Sequence, residues 1–350
     1  VCHTGNIDMR HENSRAALAA IRAHLTSTGL ANESTAFPQF PLVFLDSVLR
    51  GIGQVMLQNN SYAGLFFLMG ICYNSVLYGF AVLVGAAAST ATAELLGVAR
   101  ASVRAGLFGF NGSLVAIALL YFLEPNLLAW CYVVLAAACT TVVMAAFLNL
   151  LSTWKIPALT APFVFITMFF VLACARFGRL ISTDVLPTAG LPKAATVEGI
   201  VTFSTVIEGV FNGVAQVFFQ GNAMTGVFFV AGLLISSRLA SVAALLGSLV
   251  GLLVAWGMGA AEPAIRAGAF GFNSALTAIA LGSSFFVLST ASVAYGTLAV
   301  VATAIMFAAM SAALEPLGMP ALTSPFVLVV WLFLLASPLF PQIKTVNDAE

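Results

Sequence analysis

Three pairs of polar side chains stand inside sequence apolar enough for a membrane: Gln54 and Gln216, Asn111 and Asn273, Thr160 and Thr323. Their chemistry is hydrogen bonding, through amide and hydroxyl groups that neither titrate nor attack at neutral pH. An amide left unpartnered in an apolar medium costs roughly 2–7 kcal/mol, so each must face protein, water or a passing solute. Asn111 and Asn273 lie within two residues of glycines, where bonding the freed backbone of a broken helix is at least as good a role as meeting a solute. Gln54 and Gln216 point more to a pathway, because the apolar segments that carry them are too short to span. Thr160 and Thr323 each sit between two prolines, in Pro157-Ala-Leu-Thr160-Ala-Pro162 and Pro320-Ala-Leu-Thr323-Ser-Pro325. Proline withholds backbone donors, so carbonyls and the threonine hydroxyl form a row of acceptors there; the threonine is also placed to cap the helix that follows.

Beside these acceptors stand Phe110 and Phe272, with Leu114 and Leu276 one helical turn later. In a chain with 29 phenylalanines most are core. A flat ring next to an acceptor row differs, because it suits a planar, uncharged solute rich in N–H groups, stacked on the ring and bonded edgewise to the oxygens.

The pairing runs through the whole sequence. Phe44 to Asn60 matches Val206 to Asn222 and Arg104 to Leu119 matches Arg266 to Leu281, both at an offset of 162 as from Gln54 to Gln216. Ile156 to Phe163 then matches Met319 to Phe326, at an offset of 163 as from Thr160 to Thr323. Three blocks in the same order are an internal duplication, a recurring plan of membrane transport proteins. Boundaries follow as a polar N-terminal tail (1–40), a first repeat (41–181), a linker (182–199), a second repeat (200–340) and a C-terminal tail (341–350).

Hydrophobic residues make up 61% of the 350 and charged residues 7%, against roughly 25% charged in soluble domains. The chain therefore reads as an all-α polytopic membrane protein with room for about ten spans, plus two re-entrant half-helices. Apolar runs place helices over Tyr62–Leu96 (hinged near Asn74), Ala105–Leu123, Leu127–Leu151 and Leu159–Ala175, and over Met224–Met258 (hinged near Ser237), Ala267–Leu288, Ser292–Leu314 and Leu322–Ser337. The glutamines fall in the short segments Leu45–Gln58 and Ile207–Gln220. Ser14–Leu25 has the pattern of a short surface helix, though a loosely ordered tail suits it better.

Net charge is zero and basic residues do not cluster, so no nucleic-acid partner is expected. The cysteines lack metal or redox spacing, no nucleophile motif is present, and no cofactor, metal or enzymatic activity is expected. All three histidines precede the apolar region, which argues against a twin-histidine ammonium channel, and no Asn-Pro-Ala pair marks an aquaporin. Most charged residues fall at segment ends; Asp46 and Glu208, at matched positions ahead of the glutamines, are the exceptions that keep a proton-coupled transporter open.

The Leu-Arg-Gly-Ile-Gly-Gln-Val run before Asn59-Asn60, the Gly-Leu-Phe-Gly-Phe-Asn run and the two Pro-Ala-Leu-Thr-x-Pro-Phe boxes resemble the repeated signatures of the urea transporters, over nearly all of Phe44 to Leu339. The resemblance implies two inverted halves around one pore per protomer, a homotrimer in the lipid bilayer of a plasma or bacterial inner membrane, and facilitated diffusion of urea. It implies that Gln54, Gln216, Thr160 and Thr323 belong to facing ladders of oxygen acceptors, with the threonines at the central constriction. Phe110, Phe272, Leu114, Leu276, Val55 and Val217 are implied as thin apolar slots. Leu57, where the second copy has Phe219, is a departure that changes the shape of an outer site. An ammonia, water or small-amide channel and a proton-coupled transporter are the competing readings.

Overall fold

The computed structural model describes residues 40–192 and 196–346. The candidate helix at Ser14–Leu25 lies outside the described residues. Within them the chain forms fourteen α-helices and no β-strand, with isolated bridges that join Leu123 to Ser182 and Phe286 to Thr345. The first seven helices are α1 (Phe40–Gln54), α2 (Ser61–Asn74), α3 (Val76–Leu95), α4 (Arg100–Arg104), α5 (Phe110–Phe122), α6 (Leu127–Leu151) and α7 (Ala161–Cys174). The next seven repeat that order: α8 (Phe203–Ala215), α9 (Ala223–Ser236), α10 (Arg238–Gly257), α11 (Glu262–Arg266), α12 (Gly271–Ile279), α13 (Thr290–Leu314) and α14 (Ser324–Ala336).

Breaks in the ladder fall where the sequence supplies caps. Asn60 and Asn222 are extended and accept hydrogen bonds from the first turns of α2 and α9, while Ser75 and Ser237 each end one helix and cap the next. The hinges read near Asn74 and Ser237 are therefore real breaks. Five helical stretches are long and apolar enough to cross a membrane, and a sixth span arises if the pair Phe203–Phe218 and Ala223–Ser236, bent by 74°, counts as one. Phe110–Phe122, Ala161–Cys174 and Ser324–Leu339 are apolar but shorter. The architecture is thus all-α and polytopic; half-length helices were expected at Leu45–Gln58 and Ile207–Gln220, and short ones also stand at Phe110–Phe122, Ala161–Cys174 and Ser324–Leu339, where single spans were expected.

The Ala105–Leu123 span is shorter than the apolar run suggests. Gly106 has φ +73°, a side chain there would strike the backbone of Gly51, and the chain turns through 105–109 before α5 begins at Phe110. Gly268 does the same against Gly213, with φ +75°. The second copy differs in one respect. Its offset from the first changes from 162, at Leu119 and Leu281, to 163, at Leu123 and Phe286, and the extra residue is absorbed as a π-helical turn over Ala280–Ser284.

Helices α2 and α9 bring the halves together. Phe67 packs on Phe229 at 5.2 Å between ring centroids, Thr225 donates to the carbonyl of Gly70 (2.9 Å), and Asn74 donates to Gln220 (2.7 Å). After α7 and α14 each half folds a short extended segment back onto the end of its fifth helix: Ser182 bridges Leu123, and Thr345 bridges Phe286. The amide of Thr183 bonds the carbonyl of Phe122 (2.8 Å), and that of Val346 bonds Phe285 (3.0 Å).

Candidate permeation site

Gln54 ends α1 and Gln216 follows α8, each leading into a tight turn closed by a left-handed residue, Leu57 (φ 61°) or Phe219 (φ 59°). The side-chain amide of Gln54 donates to the carbonyl of Ala105 (2.9 Å), and that of Gln216 to Ala267 (3.2 Å). Those carbonyls are presented by the turns that Gly106 and Gly268 permit. With its nitrogen tied to the backbone, each glutamine keeps its oxygen for an N–H donor. Gln54 is 4% exposed, Gln216 more open.

Thr160 and Thr323 stand at the starts of α7 and α14, but neither hydroxyl caps its helix. They bond each other instead, Oγ1 to Oγ1 at 2.6 Å, and both are buried. Since one hydroxyl donates and one accepts, the pair retains a spare proton and spare lone pairs. Capping comes from elsewhere. Asn111 accepts from the amide of Phe163 (3.0 Å) and donates to the carbonyl of Leu159 (3.4 Å); Asn273 accepts from Phe326 (3.3 Å) and donates to Leu322 (3.1 Å).

Leu159 and Leu322 hold φ of 51° and 52°, a left-handed conformation costing about 1–2 kcal/mol for such a residue. The asparagine forks hold that backbone in place, which fixes the threonines behind it. Several carbonyls of the proline boxes are already taken, by Asn111, by Asn273 and, at Pro157, by the indole N–H of Trp331 (2.8 Å). The acceptors left are therefore fewer than the sequence suggests, chiefly the glutamine and threonine oxygens.

A cavity of about 440 Å3 brings together Gln54, Val55, Leu57, Phe110 and Thr160. Leu107, Met144, Trp154 and Lys155 contribute from the same half, and Ser284, Phe285 and Phe326 from the other. Leu114 and Leu276 are fully buried and lie off this lining, as do Gln216, Val217, Phe219, Phe272 and Thr323. Phe272 packs edge-on against Phe307 at 5.5 Å, and Phe219 against Phe122 at 5.8 Å. The sequence reading missed Ile343, Thr345 and Val346, which line the cavity though they fall in the segment read as a tail. Only the structure places them there, through the match of the second bridge to the first.

Charged groups near the glutamines are paired. Asp46 bonds Arg50 at 2.7 Å with both side chains 6% exposed, and Arg50 also donates to Asn59. Arg266 bridges Glu208 (2.9 Å) and Glu262 (2.7 Å) in a more open cluster. Asp46 does not line the cavity, nor does Glu208. Among the described residues no His, Cys, Asp or Glu group is arranged to hold a metal ion.

The family model described as "Urea transporter" matches residues 45–338. The chain is similar to urea transporter 1 of Ovis aries, 32% identical over 306 residues that make up 86% of this chain and 79% of the relative. The same protein of Capra hircus is 31% identical, and that of Rattus norvegicus 29%, over the same shares.

Proposed function

Because the chain belongs to the urea transporter family, we propose that it carries urea across the membrane passively, through a single narrow pathway past Gln54, Thr160, Thr323 and Gln216. It is an integral membrane protein, as its family membership and apolar spans require. The observation that supports the pathway most is the threonine pair. Two hydroxyls from the matched boxes meet at 2.6 Å, and one of them, Thr160, opens on a cavity that also holds the oxygen-bearing Gln54 and the ring of Phe110.

In this reading urea sheds water on entering the cavity and regains hydrogen bonds in turn from the Gln54 oxygen, the threonine hydroxyls and the Gln216 oxygen. An unpaired buried N–H costs about 1–3 kcal/mol, so a sequence of acceptors keeps the path nearly level. Phe110 and Phe272, with Val55, Val217, Leu114 and Leu276 around them, restrict the passage to a flat solute. An ion gains no compensation between such walls, since moving it out of water costs several kcal/mol even after relaxation. The paired state of Asp46 and Glu208 supports uncoupled transport, because neither carboxylate is free on the cavity lining.

We also propose that residues 41–181 and 200–340 are inverted halves of one pore-forming unit, joined by 182–199 and flanked by tails 1–40 and 341–350, and that the protein is a homotrimer. The test is stopped-flow light scattering on proteoliposomes with urea as the only gradient. Rapid urea equilibration in the wild type and its loss in Thr160→Val are expected. Folded protein that conducts no more urea than empty liposomes would overturn the reading.

A further inference from the structure

The two repeats hold matched backbones but different bulk at matched places. Leu57 and Phe219 share the same left-handed turn. Counting back from the paired bridges at Leu123 and Phe286, Phe122 corresponds to Phe285 and Tyr121 to Ser284. Met144 corresponds to Phe307 in the same way. Each member from the second site is aromatic where the first site has Leu57, Ser284 and Met144.

Packing follows this difference. Phe219 contacts Tyr121 at 5.4 Å, Phe122 at 5.8 Å and Phe163 at 6.3 Å between ring centroids, and Phe307 closes on Phe272 at 5.5 Å. At the other site, among the described residues, Phe285 and Phe326, the matches of Phe122 and Phe163, have no such ring between them and line the 440 Å3 cavity together with Leu57, Ser284 and Met144. That volume falls in the range of about 300–1,000 Å3 that encloses drug-sized ligands, well beyond the needs of a four-heavy-atom solute. The π turn contributes too, because it sets Ser284 ahead of Phe285 at the wall and turns the serine hydroxyl back onto the carbonyl of Ile279 (3.3 Å).

We propose that the pathway is wide at one end only, and that the cavity bounded by Leu57, Ser284 and Met144 binds ureas carrying an aryl group on one nitrogen, which enter from that end and block without crossing. This rests on the urea reading above. The free ureido N–H groups meet the oxygens of Gln54 and Thr160, and the ring lies against Phe110, Phe285 and Phe326. At the other end Phe219 and Tyr121 occupy the space such a ring needs. Leu57 and Ser284 are thus specificity-determining residues for bulk.

Titrating N-phenylurea into the purified full-length protein by calorimetry, with urea flux measured on the same preparation, tests this. Wild type is expected to bind it. Filling the cavity in Leu57→Phe/Ser284→Tyr is expected to weaken binding about tenfold or more, whereas Leu57→Met keeps it. Urea flux without N-phenylurea binding, or unchanged affinity in the filled variant, overturns the wide end alone; absent urea flux in folded protein overturns the urea reading instead. A second arm needs no variant: 4-ureidobenzoate, which does not cross lipid, is added outside randomly oriented proteoliposomes. Only part of the urea flux is expected to stop, the rest stopping when the compound is also trapped inside. Complete block from outside would mean that both ends bind it and would sink the proposal.

Discussion

Thr160 and Thr323, 163 positions apart in sequence, share a hydrogen bond of 2.6 Å between their hydroxyls. Each comes from the start of a helix whose first turn is capped not by itself but by an asparagine of another helix. The hydroxyls are therefore spared for each other and, in the proposed pathway, for urea.

This pairing predicts non-additive substitutions. Thr160→Val removes one hydroxyl and leaves Thr323 without its partner, and Thr323→Val does the reverse. Each is expected to lower urea permeability about tenfold or more, while the double variant falls little further, since residues sharing one bond couple by roughly 0.5–3 kcal/mol. Thr160→Ser retains most of the flux. Stopped-flow permeability in the double-mutant cycle is the measurement, and full additivity would argue that the hydroxyls act separately.

Gln54 and Gln216 are expected to differ in their effect on stability. Gln54→Leu strands the carbonyl of Ala105 in a buried setting, at about 1–3 kcal/mol, whereas Gln216 bonds Ala267 at the longer distance of 3.2 Å in a more open place. Thermal unfolding in detergent should show the larger drop for Gln54→Leu, and both variants should lose urea flux through the missing oxygen.

Asn111→Ala and Asn273→Ala remove the forks that hold Leu159 and Leu322 in the left-handed conformation. Two bonds are lost at each site, worth together roughly 1–3 kcal/mol. The expected outcome is a lower melting temperature together with lost flux, because the threonine behind each fork is no longer fixed. A variant with normal stability and normal flux would show that the forks do not position the threonines.

The sequence carried the duplication because paired polar residues at constant offset stand out against apolar surroundings. It also carried the hinges at Ser75 and Ser237, where capping side chains mark the break. The left-handed turns at Leu57, Leu159, Phe219 and Leu322 left no trace, since no glycine or asparagine marks them. The one-residue change of offset was visible, yet its absorption as a π turn was not, because an inserted residue fits a loop equally well. The Leu57 and Phe219 difference was legible too. Its consequence depends on Tyr121 and Ser284, which reach those sites only when one half folds against the other.

The charged pairs bear on coupling. Asp46 and Arg50 are 6% exposed and mutually bonded, so Asp46→Asn leaves a buried guanidinium partly uncompensated and is expected to cost about 3–5 kcal/mol. Glu208 and Arg266 are 40% and 39% exposed, where solvent screens the attraction, and Glu208→Gln should leave the melting temperature close to wild type. Neither carboxylate lines the cavity. Urea flux is accordingly expected to be the same with and without an imposed proton gradient, and Glu208→Gln is expected to leave that indifference unchanged. Tracer urea accumulated above equilibrium in response to a pH step, and abolished in Glu208→Gln, would assign the carboxylate a coupling role and replace the passive pathway with a driven one.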